Sequence, residues 1–369
     1  MSWALTLAAA HGDDDDRPVL KKAHFVLPLL LATNAAASAQ DGLNIFGVVD
    51  MAVVREAGGK DGAITRLTSG VPMGSRIGIS GSEDLGGGIK AVFVLENGFQ
   101  ADTGETGQGG LLFGRQVWVG LQGRFGSVLV GRQYTPQYQT VVMADPFGSG
   151  YVADSKNLVA TSGNAFSRMD NTVKYLSPVA DGFAVELAAA PGEAGLAGTG
   201  RQLGAALDYR NRRLRVRLGF HDRANRGAAN GRNTLVAATY DLGRVRLSGA
   251  LGRNRGPNSS VLRSSANPYG AAEAPQPSTD STDVLVGVQL PIGPHAVMAS
   301  FIRKDDHDPR DQDARQVALG YRHALSKRTD VYAVHARIVN RHGAAYTVGN
   351  ASEAGSGDRA TSIGLRHAF

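Results

Sequence analysis

At 369 residues without a cysteine, the chain is long enough for two ordinary domains or one large barrel, and it has neither disulfides nor thiolate metal ligands. Its 48 glycines argue against a mostly helical fold, because a glycine inside a helix costs about 1 kcal/mol relative to alanine. The formal charge is +6 and the mean hydropathy −0.16. Beyond residue 40 there is no run of ~18 apolar residues, which excludes a helical membrane bundle but not a barrel, where only alternate residues meet lipid.

The first element is a leader over residues 1–39. Lys21-Lys22 precede the apolar run Phe25-Val26-Leu27-Pro28-Leu29-Leu30-Leu31, and small residues ending Ala37-Ser38-Ala39 follow. A basic segment, a short apolar segment and an A-x-A site form a secretory signal peptide, here about 20–39, cleaved to leave Gln40 first. Residues 13–16 are all aspartate, where a signal peptide wants positive charge. The upstream part therefore reads as a start drawn too early, with the true one near Val19 or Leu20. The remainder, 40–369, reads as a single domain.

From Gln40 to the end, short apolar–polar alternations recur. Leu214-Arg215-Val216-Arg217-Leu218-Gly219-Phe220 is the cleanest, with Leu, Val, Leu and Phe on one face and Arg, Arg and Gly on the other. Such a period of 2 marks a strand with one face buried or in lipid. Strands are predicted at 43–55, 75–82, 89–99, 112–122, 126–133, 171–176, 183–190, 201–210, 214–221, 233–241, 244–252, 283–290, 295–303, 315–325, 329–339 and 360–369. Their connections alternate in length. Glu83-Asp84-Leu85-Gly86-Gly87-Gly88, Gly123-Arg124-Phe125 and Leu242-Gly243 are short; 56–74, 134–170, 253–282 and 340–359 are long. Tight turns at one end and long loops at the other are the asymmetry of an outer-membrane barrel, which a soluble sandwich has no reason to show. The expected fold is thus all-β, a transmembrane antiparallel barrel of about 16 strands of ~10 residues each. An even count puts both termini on the periplasmic side.

Three stretches carry a resemblance. The first runs Ser75-Arg76-Ile77-Gly78-Ile79-Ser80-Gly81-Ser82-Glu83-Asp84-Leu85-Gly86-Gly87-Gly88-Ile89-Lys90 and on to Leu95-Glu96-Asn97-Gly98-Phe99. The second is Phe113-Gly114-Arg115-Gln116-Val117-Trp118-Val119-Gly120-Leu121, continuing to Gly131-Arg132-Gln133-Tyr134-Thr135-Pro136. The third is Arg168-Met169-Asp170-Asn171-Thr172-Val173-Lys174-Tyr175-Leu176-Ser177-Pro178. Together they resemble the general porins of betaproteobacteria, with the N-terminal half more specific than the C-terminal loops. Ala180 departs from the aromatic expected there.

The resemblance implies a homotrimer in outer-membrane lipid that passes small hydrophilic solutes, anions preferentially, narrowed midway by its third outer loop folding inward. That loop runs from Tyr134 to about Asp170, and Asp145-Pro146-Phe147-Gly148-Ser149-Gly150 is similar to the hairpin tip that presses on the wall in the family. Matched residue by residue, Arg76, Arg115 and Arg168 are the basic constriction candidates, with Arg132 a fourth. Asp145 and Asp154 are the acidic candidates across the lumen. Phe369, on the apolar face with Ile363 and Leu365, resembles the C-terminal signal read by the barrel-insertion machinery.

Parity alone assigns further lumen charges: Lys90, Lys174, Arg215 and Arg217, and with them Arg246, Arg322, Arg337 and Arg366. A lumen this basic concentrates anions. Arg115 shares parity with Val117 and Val119; if it faces inward, Gln116 shares the outer face with Trp118, where a subunit interface would cover it.

Other chemistry finds little support. Gly86-Gly87-Gly88 leads into a strand, so it is a turn and not a phosphate-binding helix entry. The histidines lack metal spacing, and Asp305-Asp306-His307-Asp308 reads as a solvated connection more readily than a cation site. No cofactor, metal or catalytic triad is implied. The basic charges do not cluster with aromatics as nucleic-acid binding would require. The rival readings are a substrate-specific channel on the same barrel, favoured if Tyr134, Tyr138 and Tyr151 line the loop, a barrel enzyme, and a β-sandwich adhesin.

Overall fold

The structure, a computed structural model, describes residues 42–161, 167–192, 200–225, 229–257, 259 and 278–369; the leader expected over 1–39 lies outside them. The strands are β1 (Asn44–Gly59), β2 (Gly62–Ser69), β3 (Arg76–Gly86), β4 (Ile89–Gly98), β5 (Gln116–Gly123), β6 (Gly126–Tyr134), β7 (Arg168–Leu176), β8 (Phe183–Ala190), β9 (Gln202–Arg210), β10 (Leu214–Arg223), β11 (Gly231–Asp241), β12 (Arg246–Arg255), β13 (Asp280–Ile292), β14 (His295–Asp306), β15 (Ala314–Ala324), β16 (Thr329–Asn340) and β17 (Arg359–Ala368). From β3 to β17 each strand pairs antiparallel with the next, and β1, paired with β17 on one side and with β2 and β3 on the other, closes the ring. Closure leaves no unpaired edge in the hydrocarbon, the one way a sheet satisfies its backbone there.

One strand is additional to the sequence reading. The lower part of β1 pairs with β3, from Asn44↔Ser80 to Val48↔Arg76, and its upper part pairs with β2, from Met51↔Ser69 to Gly59↔Gly62. β2 and β3 therefore share one position in a ring of 16, and the segment 56–74 is not a plain loop. Alternation could not reveal β2, because its large apolar residues Ile64 and Leu67 have opposite parity, opposite Glu56 and Val53 of β1 respectively. Between β2 and β3 the chain breaks inward at Val71, whose N–H donates to an Asp50 carboxylate oxygen at 2.7 Å.

The connections sort by end. Residues 87–88, 124–125, 211–213 and 293–294 turn tightly at one rim, while the longer connections 99–115 and 341–358 lie at the other. Gly86, Gly87 and Gly88 have φ of 81°, 62° and 77°, a run of left-handed backbone that only glycine adopts cheaply, so this segment is a hairpin turn. At the last residue, Phe369 exchanges two 3.1 Å backbone hydrogen bonds with Gly47 of β1 and lies over that glycine, completing the seam.

The outer face is apolar. On β15, Val317, Leu319 and Tyr321 point out and are exposed, while Gln316, Ala318 and Gly320 point in and are buried. Near the short-turn rim the outward residues become aromatic: Phe125, Tyr175, Phe183, Tyr209, Tyr240 and Tyr321, with Phe183 and Tyr209 4.7 Å apart between ring centroids. Such a girdle suits the boundary between hydrocarbon and headgroups. The hydrophobic core is inside the barrel, between the segment 135–161 and the inner faces of β11 and β13–β16; it includes Val141, Phe147, Leu158, Leu235, Leu285, Met298, Ile302, Val334 and Ile338.

Candidate pore constriction

The segment after β6 enters the lumen as a short helix, Pro136–Ala144. Pro136 sits in its first turn, and the Thr135 hydroxyl accepts from Tyr138 N–H at 3.0 Å, so the helix starts with proline and a capped N-terminus. The helix lies on β9–β12. It can approach closely because the wall offers glycine: a Cβ on Gly204 would stand 2.8 Å from Pro136, and one on Gly219 would stand 2.4 Å from the Thr140 hydroxyl. Farther on, Pro146 sits on Gly287 and Phe147 on Gly320, where an added Cβ would come within 2.6 Å in each case. The Gln289 amide donates to the Pro146 carbonyl. Tyr151 meets Tyr332 edge-on at 4.9 Å, and its N–H donates to Val71 O at 2.8 Å, joining the loop to the β2–β3 break.

Buried polar bonds secure the return arm. The Asn157 amide donates to Gln316 Oε1 at 2.9 Å, and the Gln316 amide donates to Ala153 O at 3.0 Å. Ala160 N–H donates to Asp283 Oδ2 at 2.8 Å. The other Asp283 oxygen accepts from Lys304 Nζ at 2.6 Å, and both side chains are fully buried. A buried carboxylate is tolerated only with such partners.

Opposite the loop, on β3–β7, the structure brings together Arg76, Arg115 and Arg168. Arg76 opens β3, Arg115 immediately precedes β5 and Arg168 opens β7. The register sets them at one level, with Arg76↔Gly98, Glu96↔Gln116 and Tyr134↔Arg168. Glu96 Oε1 receives Arg115 Nε at 2.7 Å and Arg76 Nε at 3.1 Å. The Tyr134 hydroxyl accepts from Arg115 at 2.9 Å and from Arg168 at 2.5 Å, and the Arg168 guanidinium lies 4.3 Å from the centroid of that ring. Tyr138 from the loop helix stacks on Tyr134 at 5.3 Å. Arg115 escapes the outward parity of Val117 and Val119 because it precedes the first residue of β5. The three guanidinium groups expose little surface.

Several expected placements are corrected. Asp145 and Asp154 do not face the arginines. The Asp145 carboxylate accepts N–H bonds from Phe147 at 2.9 Å, Ser149 at 3.0 Å and Ser155 at 3.1 Å, folding the loop tip around itself. Burial pushes this carboxyl up to about 6, above the usual carboxylate range. Asp154 takes the Ser149 hydroxyl and Lys156 N–H and pairs with Lys156 Nζ at 3.2 Å. Gly148, at φ 65°, supplies the left-handed turn between them.

Arg132 shares the outward parity of Val128 and Val130. Beside the irregularity between β6 and β7 it bonds Gly114 O at 2.9 Å and pairs with Asp170, so it is not part of the wall cluster. Gln116 faces the lumen and donates to Glu96 Oε2 at 2.9 Å; no subunit contact is needed to explain it. Arg337 points outward, beside the exposed Val317. Tyr151 is buried in the loop core and does not line the lumen.

The sequence reading missed Glu96. It shares inward parity with Lys90, and that parity was the signal available for it.

The other lumen charges pair among themselves. Lys174 reaches Glu186 at 2.7 Å and Tyr134 O at 2.7 Å. Arg217 pairs with Glu186 and with Asp208, and its Nε donates to Thr140 on the loop helix at 3.1 Å. Arg215 also pairs with Asp208. Lys90 is exposed near the short-turn mouth. In the Asp305-Asp306-His307-Asp308 run, Asp305 pairs with Arg303, Asp306 takes Ser278 and Asp308 takes Thr279. Among the described residues no cluster with metal-ligating composition forms.

Comparison with known proteins bears on this arrangement. Residues 27–343 match the family described as Gram-negative porin. Outer membrane porin protein 32 of Delftia acidovorans is 31% identical over 95% of this chain and 100% of its own length, and an outer membrane porin protein of Bordetella pertussis is 28% identical over the same shares. Among solved structures, the anion-selective porin from Comamonas acidovorans superposes with a TM-score of 0.74 at 27% identity, covering 89% of this chain and all of that one. OmpF of Salmonella typhi, at 15% identity and a TM-score of 0.69, shares the fold.

Proposed function

This chain belongs to the Gram-negative porin family, and from that premise we propose that it conducts small hydrophilic solutes by passive diffusion across the outer membrane with a preference for anions. The observation that carries the preference is the wall cluster. Arg76, Arg115 and Arg168 meet at one level, and among the described residues Glu96 is the carboxylate paired with Arg76 and Arg115, while the loop acids Asp145 and Asp154 are engaged within the loop. Preorganised guanidinium groups beside a narrowed lumen hold a positive potential through which every ion passes. Arg115 and Arg168 are held by the Tyr134 hydroxyl, so the charges stay fixed as ions move past. The anion-selective porin from Comamonas acidovorans supports the same reading.

The functional unit we propose is a homotrimer with early strands at its interface, in line with the family resemblance. Lys90, Lys174, Arg215 and Arg217 are proposed to extend the basic lining, the last three partly balanced by Glu186 and Asp208. The leader over 1–39 is proposed to direct export and Phe369 to mark the chain for barrel insertion. The deciding measurement is the reversal potential of refolded protein in planar bilayers under a KCl gradient. Chloride is expected to dominate. A wild-type channel that favours potassium refutes the charge assignment, and a stable monomer in mild detergent refutes the trimer.

A further inference from the structure

The break between β2 and β3 places a thioether among the wall arginines. Met73 lies in the segment that turns inward at Val71, and it is half-buried. Arg76 folds around it, one guanidinium nitrogen donating to Met73 O at 2.9 Å and the other to Met73 Sδ at 3.4 Å. From the other side Arg366 of β17 reaches the same sulfur at 3.8 Å. Arg366 faces inward, opposite Asp50 on one neighbouring strand and Asp330 on the other, and pairs with Asp330. The next residue, Gly74, lies against Arg115, where an added Cβ would stand 2.8 Å from a guanidinium nitrogen. One sulfur atom thus sits between the cluster of Arg76 and Arg115 and the Arg366–Asp330 pair.

A thioether is a weak acceptor, so it serves two cations less well than an oxygen would. Oxidation to the sulfoxide turns this apolar side chain into a polar one, with an oxygen that accepts strongly. The other methionines of the described residues are placed differently. Met169 and Met298 are buried, Met51 shares the outward parity of Val49 and Val53, and Met143 packs on the loop core. Met73 presents its sulfur to the arginines of the wall.

We propose that Met73 is a site of reversible oxidation that modulates the channel, its oxidant hypochlorous acid and the corresponding anion. This rests on the channel reading above, because a lumen that favours anions draws hypochlorite to the constriction. The sulfur lone pair takes the oxygen: an S–O bond forms, the O–Cl bond breaks, and chloride leaves with the bonding pair. From the undissociated acid a proton passes to water. Sulfur is oxidised by two electrons and chlorine is reduced by the same two. The sulfoxide oxygen then accepts from Arg76 and Arg366, and its dipole offsets part of the positive field.

The test uses full-length protein folded in detergent, treated with sodium hypochlorite at increasing dose, digested and mapped by mass spectrometry. Met73 is expected to gain one oxygen before Met51, Met143, Met169 and Met298. In planar bilayers under a KCl gradient, the same treatment should lower the chloride-to-potassium permeability ratio about twofold. Two methionine sulfoxide reductases with a thiol reductant, one for each sulfoxide epimer, should restore the ratio. Met73→Leu, read before and after the oxidant, should show no shift that the reductases reverse. A wild-type Met73 that stays unoxidised at the dose converting Met51 or Met143 overturns the proposal whether or not the variant folds. So does a Met73 sulfoxide that leaves the ratio unchanged, or an equal reversible shift in Met73→Leu. The ratio before oxidant tests the channel reading by itself: a potassium preference there refutes that reading, while the mapping still decides where the oxygen is added.

Discussion

Arg115 Nε stands 2.7 Å from Glu96 Oε1, so a strand carboxylate on the same wall, and not an aspartate of the inward loop, is the nearest counter-charge of the wall cluster. The same oxygen receives Arg76 at 3.1 Å. Glu96 therefore sets the balance of fixed charge around Arg76 and Arg115.

Replacing Glu96 by glutamine should strengthen chloride preference, since the amide keeps an acceptor for Arg115 but removes the negative charge. Replacing Arg76, Arg115 and Arg168 together by serine leaves Glu96 unopposed and should widen the pore and reverse the preference toward potassium. Both effects should shrink at 1 M salt, where the Debye length falls to about 3 Å from about 8 Å at physiological ionic strength. Reversal potentials across a KCl gradient measure all three; an unchanged value in the triple variant would falsify the assignment.

The loop tip depends on the seat under Phe147. Phe147→Ala removes a buried ring and should weaken docking by about 3–5 kcal/mol, the usual range for such a truncation. Gly320→Val should displace the ring by the opposite route, filling its seat. Both variants are expected to keep a heat-resistant barrel but to show larger and noisier single-channel currents. Quiet currents of wild-type size in both would show that the tip does not depend on this contact.

Lys304 and Asp283 form a fully buried pair that also holds Ala160 of the loop. Lys304→Met strands the carboxylate and should cost about 3–5 kcal/mol. Lys304→Met with Asp283→Asn should recover much of the loss, because the amide oxygen still accepts from Ala160. Thermal unfolding followed by circular dichroism separates the two, and a double variant no more stable than the single one would argue against the pair as the cause.

Asp145 gives the loop a pH dependence. Its carboxyl is raised by burial from 3.8 to about 6, so the docked loop binds the proton more tightly than a solvated one does. Docking is then strongest below about pH 4 and weakens as pH rises through 6. Single-channel current noise should increase from pH 5 to pH 8, and Asp145→Asn should flatten that profile. Noise that rises on acidification would contradict the sign.

Much of this protein was legible in its residues. The alternation of Leu214, Val216 and Leu218 against Arg215 and Arg217 reports a sheet between two environments, and the sorted loop lengths report a closed barrel with two unlike rims. These are local or counting properties, so a linear chain displays them. Arg76, Arg115 and Arg168 could be named because they sit in motifs, although spacing alone does not show that they converge around Glu96 and Tyr134.

Three matters were decided only in three dimensions. β2 is hidden because Ile64 and Leu67 break parity, and only pairing with β1 makes it a strand. Asp145 and Asp154 read as lumen acids, but a carboxylate in a folded-back loop is captured by the nearest N–H groups of its own turn, leaving Glu96 to face the arginines. Arg337 read as a lumen charge because parity was judged by polarity. On β16 the inward residues are Val334, Ala336 and Ile338, buried beneath the loop core. Once an inward loop turns half the lumen into a hydrophobic core, polarity no longer tells inside from outside on that half, and only the packed structure assigns the faces.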